Sequence, residues 1–192
     1  MARWVSVSKT SLVIWISSVL IVSLLTSLAT IYRPMCEKYE YTEIELQHYT
    51  NKLYREYNYY LHPLSNQEYK SKVDDLLTAT DYDYYEVELS WLHISGYAPP
   101  FFNTILVDDD LEHFNYCKTL THEILHYKTS SSDERYIEYL TFKVLYESDD
   151  IDLHNVGVKF GIHKLEQPTK TKYWCKDLII NYLRKENKWN RH

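Results

Sequence analysis

Apolar and polar positions divide the chain into one long uncharged run followed by a succession of amphipathic segments. No charge falls between Lys9 and Arg33, and residues 11–32, SLVIWISSVLIVSLLTSLATIY, are rich in Leu, Ile and Val. A run of that length matches the roughly 20 apolar residues that cross a bilayer, which predicts a transmembrane helix or signal anchor. Beyond it, the spacing predicts helices over Glu43–Leu61 and Asn66–Thr78, the second ended by the turn residues Asp81 and Asp83. Alternation over Tyr85–Ile94 predicts a strand, and Thr104–Val107 a short second one, with an aromatic and proline-rich loop between them.

Helical periodicity then resumes. Phe114, Cys117, Thr121, Ile124 and Leu125 fall on one stripe of a segment running from His113 to Lys128. After the polar connection Thr129–Ser132, Ser131 and Glu134 have the spacing of a capping box. The helix this predicts from Asp133 carries Ile137, Leu140, Thr141, Val144 and Leu145 on its apolar face. A final helix is expected over Lys172–Lys188, docking Trp174, Leu178, Ile179, Tyr182 and Leu183.

These elements give an α+β chain in three parts, a tail over 1–10, a span over 11–32 and one compact, mostly helical domain with a short sheet over 33–192. The localisation that follows is a single-pass membrane protein with the domain on an undetermined side, because Arg3 and Lys9 before the span are balanced by Arg33 and Lys38 after it. The alternative is a secreted protein, the run serving as a signal peptide cleaved before Thr30. No Asn-x-Ser/Thr sequon follows the span. The three cysteines, Cys36, Cys117 and Cys175, lack Cys-x-x-Cys spacing, and Cys117 sits on an apolar stripe as a buried thiol would.

The segment THEILHY carries the chemistry. His122, Glu123 and His126 form an H-E-x-x-H pentapeptide in helical register. Residues four apart share a helix face, so both imidazoles can reach one Zn²⁺, while Glu123 lies about 100° round the helix, where it can take a proton from an attacking water. A third protein ligand is needed, and the next helix offers two acids. On an ideal wheel Glu134 lies roughly 50° and Glu138 roughly 90° from the centre of the apolar face, which favours Glu134 and keeps Glu138 as the alternative.

Around these residues, NTILVDDDLEHFNYCKTLTHEILHY resembles the strand, acidic turn and active-site helix of the ImmA/IrrE family of minimal zinc metallopeptidases. The run ERYIEYLTFKVL resembles that family's E-x-x-A-N-x-F-A-x-x-L-L helix. The resemblance covers Asn103 to Leu145 and departs from the pattern at Leu125, where Gly is usual, and at Ile137 and Thr141, where Ala is usual. It implies a zincin-like domain with Glu134 as ligand and Glu138 as its outer partner. The function expected is a membrane-tethered zinc peptidase acting on protein or peptide substrates, with Glu123 as general base. The alternative is a membrane-anchored protein of the same fold that binds or regulates without turnover.

Composition removes other classes. Three glycines leave no phosphate-cradling loop, and a net charge of −6 gives no basic footprint for nucleic acid. His154, His163, Tyr136 and Tyr139 are the candidates for stabilising an oxyanion, none with spacing that assigns it the role, and His93, on the expected strand, reads as a packed or hydrogen-bonded histidine. The strand Thr104–Val107 is the expected edge for pairing an extended peptide.

Overall fold

The computed structural model describes residues 40–79, 81–99, 102–168 and 175–189. Six helices and three short strands make up this part: α1 (Glu43–Glu56), α2 (Asn66–Leu77), β1 (Asp83–Val87), β2 (Gly96–Tyr97), β3 (Thr104–Asp108), α3 (His113–Thr129), α4 (Glu134–Tyr146), α5 (Ile151–Glu166) and α6 (Lys176–Trp189).

Local chemistry sets most of the helix starts. Thr42 and Ser65 close reciprocal capping boxes with Glu45 and Glu68, satisfying backbone N–H groups that the first turns of α1 and α2 leave free. Asp150 caps α5 by accepting from Asp152 and Leu153. Helix α4 is capped by Asp133, which accepts from the Tyr136 N–H, instead of by the expected Ser131–Glu134 box. That difference matters, because it frees the Glu134 carboxylate from the helix backbone.

The sheet has the order β1-β3-β2. Parallel pairing sets Asp83 opposite Thr104 and Val87 opposite Asp108, and β2 runs antiparallel on the far side with Gly96 opposite Val107. Thr104–Val107 is therefore the central strand, and the edge nearest α3 is β2. The strand expected over Tyr85–Ile94 ends at Val87; the chain turns through a short 3-10 helix at Ser90–Leu92, and His93 follows it in left-handed conformation.

Two buried clusters form the core. One packs α2 and the sheet onto α3 through Tyr69, Val73, Ile105, Val107, Tyr116, Leu120 and Ile124. The other joins α1, α4, α5 and α6 through Leu53, Phe142, Phe160, Leu165, Ile179 and Leu183. Helix α5, which the sequence pattern did not suggest, contributes to both. It lies so close to α4 that a Cβ at Gly157 would come within 2.6 Å of the Leu145 carbonyl carbon.

The expected membrane helix is corrected. Among the described residues no helix is long and apolar enough to cross a membrane. The longest, α3, has 17 residues and carries Lys118, His122, Glu123, His126 and Lys128, short of the ~20 mainly apolar residues a span requires. The segment 11–32 lies outside the described residues, as does the alternative cleavage point at Thr30. The fold is a mostly helical domain with a three-stranded sheet, and the single-pass membrane localisation finds no helix here to carry it.

Candidate metal centre

Helix α3 is gripped on more sides than its apolar stripe suggests. Beyond the expected Cys117, Thr121, Ile124 and Leu125, it also buries Tyr116, Thr119, Leu120 and Glu123, because the sheet, α2, α4 and α5 all pack against it. His122 and His126 sit at the border of this buried surface, with side chains 14% and 11% exposed.

The link between α3 and α4 brings the third group in. Ser130 takes a left-handed conformation at φ 51°, reversing the chain after α3. The Ser131 Oγ accepts from the Asp133 N–H, and Glu134 follows as the first residue of α4. Its carboxylate faces both imidazoles, with Oε2 3.1 Å from His122 Nε2 and Oε1 3.3 Å from His126 Nε2. The two Nε2 atoms are 3.0 Å apart.

These separations suit a metal. Donors about 2.0–2.1 Å from a tetrahedral Zn²⁺ lie about 3.3 Å from one another, close to all three contacts. The outer hydrogen bond fits too. His126 Nδ1 lies 2.7 Å from the Ser131 carbonyl, which can only accept, so Nδ1 donates and the neutral ring presents its lone pair at Nε2, inside the cluster. Burial works to raise the Glu134 carboxyl, but hydrogen bonds and positive charge from His122 and His126 outweigh it and hold the group far below the ordinary carboxylate range.

Glu123 occupies a different environment. Only 7% exposed, it lies beneath β2, where a Cβ on Gly96 would meet its Cγ at 2.8 Å and its Oε1 at 3.0 Å. The Ala98 N–H donates to its carboxylate. Burial pushes the Glu123 carboxyl above its ordinary value, against the charges of His122 and His126 and the Ala98 hydrogen bond. The carboxylate is thus held beside the triad yet outside it.

Glu138, the alternative ligand, is not part of the group formed by His122, His126 and Glu134. One turn further along α4, it forms an ion pair with Lys164 of α5. The other candidates are engaged elsewhere. His154 contacts the Tyr146 carbonyl at 2.6 Å, His163 contacts Gln167, and Tyr139 packs between Tyr136 and Tyr182. The thiols of Cys117 and Cys175 are buried and unbridged, with Cys36 outside the described residues. A second acidic group, Asp108 to Asp110, closes the turn after β3, where Asp108 accepts from the Leu89 N–H.

Sequence reasoning missed the backbone contributions of Gly96, Ala98 and Ser131. The scarcity of glycine was the available signal for Gly96, since a lone glycine in a strand marks a close approach; a main-chain carbonyl such as that of Ser131 leaves no mark in the sequence. No family model, curated protein or solved structure matches the chain.

Proposed function

We propose that this protein is a zinc-dependent peptidase, as its likeness in sequence to the ImmA/IrrE metallopeptidases also suggests. One observation carries the reading: two imidazole nitrogens and a carboxylate converge at 3.0 to 3.3 Å while a buried Glu lies beside them against a strand edge. His122, His126 and Glu134 would hold the ion, three protein ligands leaving a position open as catalytic zinc sites do. Bound there, Zn²⁺ supplies a Lewis acid that acidifies water and polarises a peptide carbonyl.

The remaining steps belong to the chain's own groups. Glu123 takes a proton from the attacking water and delivers it to the departing amine. Its raised pKa suits both transfers, since a base closer to neutrality also returns the proton more readily. The Ala98 N–H keeps the carboxylate aimed, and Gly96 lets β2 approach it closely. An extended substrate would pair with the outer side of β2, which replaces Thr104–Val107 as the edge next to the site.

Zinc-loaded protein incubated with an unbiased peptide mixture tests this reading. Cleavage that chelation abolishes and zinc restores is expected; cleavage indifferent to chelation contradicts it. If the loaded protein cleaves nothing, zinc here serves binding without turnover.

A further inference from the structure

A second layer of charge lies one helical turn from the metal triad. Lys118 precedes His122 by four residues, so the two share a face of α3 about 6 Å apart along its axis. On the facing helix, Glu138 follows Glu134 by the same interval. The stripe Lys118, His122, His126 on α3 thus faces Glu138 and Glu134 on α4. The imidazoles meet Glu134, but Glu138 is taken by Lys164 from α5.

Lys118 is left over. It is half-buried, and among the described residues none forms a hydrogen bond or ion pair with its ammonium. Burial pulls that ammonium below the ordinary lysine value, against the attraction of Glu138 and Glu123 and together with repulsion from Lys164. Of the two acids near it, Glu138 is paired with Lys164 and Glu123 accepts from the Ala98 N–H, so the Lys118 ammonium feels both carboxylates and is hydrogen-bonded to neither. A half-desolvated cation without a partner is poorly placed for stability and well placed to receive an anion.

We propose that Lys118 anchors a carboxylate of the bound peptide, making this a site that selects an acidic side chain or a free C-terminal carboxylate within one or two residues of the scissile bond. The inference rests on the peptidase reading for its substrate. An extended peptide advances about 3.3 Å per residue, so the ~6 Å turn from His122 to Lys118 corresponds to that distance. The two sources share one chemistry, a carboxylate meeting an ammonium.

The test is a binding titration of the zinc-loaded Glu123→Gln protein, followed by NMR. The probes are acetyl-alanyl-glutamate amide, its glutamine twin, acetyl-alanyl-alanine with a free carboxylate, and the amide of that dipeptide. At least one carboxylate probe is expected to bind about tenfold more tightly than its uncharged twin, and which one identifies the source. Lys118→Met should erase the difference and Lys118→Arg should keep it, both with unchanged zinc content. Equal binding of every twin pair in the Lys118 protein overturns the proposal, as does a preference that survives Lys118→Met, since the carboxylate would then be meeting the metal or another cation. If Lys118→Met does not fold, loss of the preference in Lys118→Gln serves the same end. Failure of the zinc-loaded parent to cleave any peptide would remove the peptidase reading while leaving a carboxylate site measurable by the same titration.

Discussion

At the scale of single residues, Glu123 and Gly96 act as a unit. A Cβ on Gly96 would fall 2.8 Å from Glu123 Cγ and 2.7 Å from Thr119 Cγ2, both on buried side chains, so Gly96→Ala must displace Glu123, the proposed base. Its expected effect is a fall in kcat of about 10- to 100-fold with zinc content unchanged, within the usual worth of a positioned base; parallel loss of zinc would show that the triad moved instead. Glu123 also has a cost in stability. Because burial raises its folded pKa, the folded state holds that proton to higher pH than the unfolded chain does, and stability falls as pH rises from about 4.3 through the folded value. Metal-free Glu123→Gln should therefore melt a few degrees above the parent at pH 7 to 8, the gap closing near pH 4, as thermal unfolding across pH would read. The H-E-x-x-H spacing and the wheel made His122, His126 and Glu134 legible as a group. The separate fate of Glu138 was not, because its partner Lys164 stands on a helix that periodicity did not reveal.

That helix, α5, is the main difference at the scale of elements. The helical pattern of its segment NVGVKFGI is hidden by Gly157 and Gly161, residues that weaken a helix by about 1 kcal/mol each relative to Ala and so read as breaks. Tertiary packing overrides that preference, since both positions are points of close approach. The two are not equivalent. A Cβ at Gly157 meets the Leu145 and Tyr146 backbone, which cannot yield, whereas at Gly161 it meets the side chains of Phe142 and Leu53. Gly157→Ala should destabilise by about 1–3 kcal/mol despite alanine's better propensity, with Gly161→Ala the milder of the two, as denaturant unfolding would rank them. Two of the three strands were legible in existence and not in role, and β2 lies in the stretch that reads as a loop between them. Thr104–Val107 is apolar because it is central, with Ile105 and Val107 fully buried, and nothing local distinguishes that from a buried edge.

For the whole molecule, the triad joins the two halves of the core. His122 and His126 come from the helix packed on the sheet, and Glu134 from the helix packed on α5 and α6, with residues 130–133 as their link. Zinc should therefore stabilise both halves together: a free concentration 100-fold above Kd is worth about 2.7 kcal/mol, a rise of roughly 5–10 °C in Tm that His126→Ala should abolish. A calorimetric scan with and without zinc reads it, and two separated transitions of which zinc moves only one would contradict the shared site.

The central claim is that Glu123 moves the proton while other residues hold the metal, and one paired measurement tests it most directly. Zinc-loaded parent and Glu123→Gln proteins, matched for zinc content, are given the same unbiased peptide mixture, and initial rates are compared. The amide keeps the shape of the carboxylate but cannot accept the proton, so the rate is expected to fall by about two to four orders of magnitude at equal zinc occupancy. Cleavage by the parent that Glu123→Gln leaves unchanged would contradict the account.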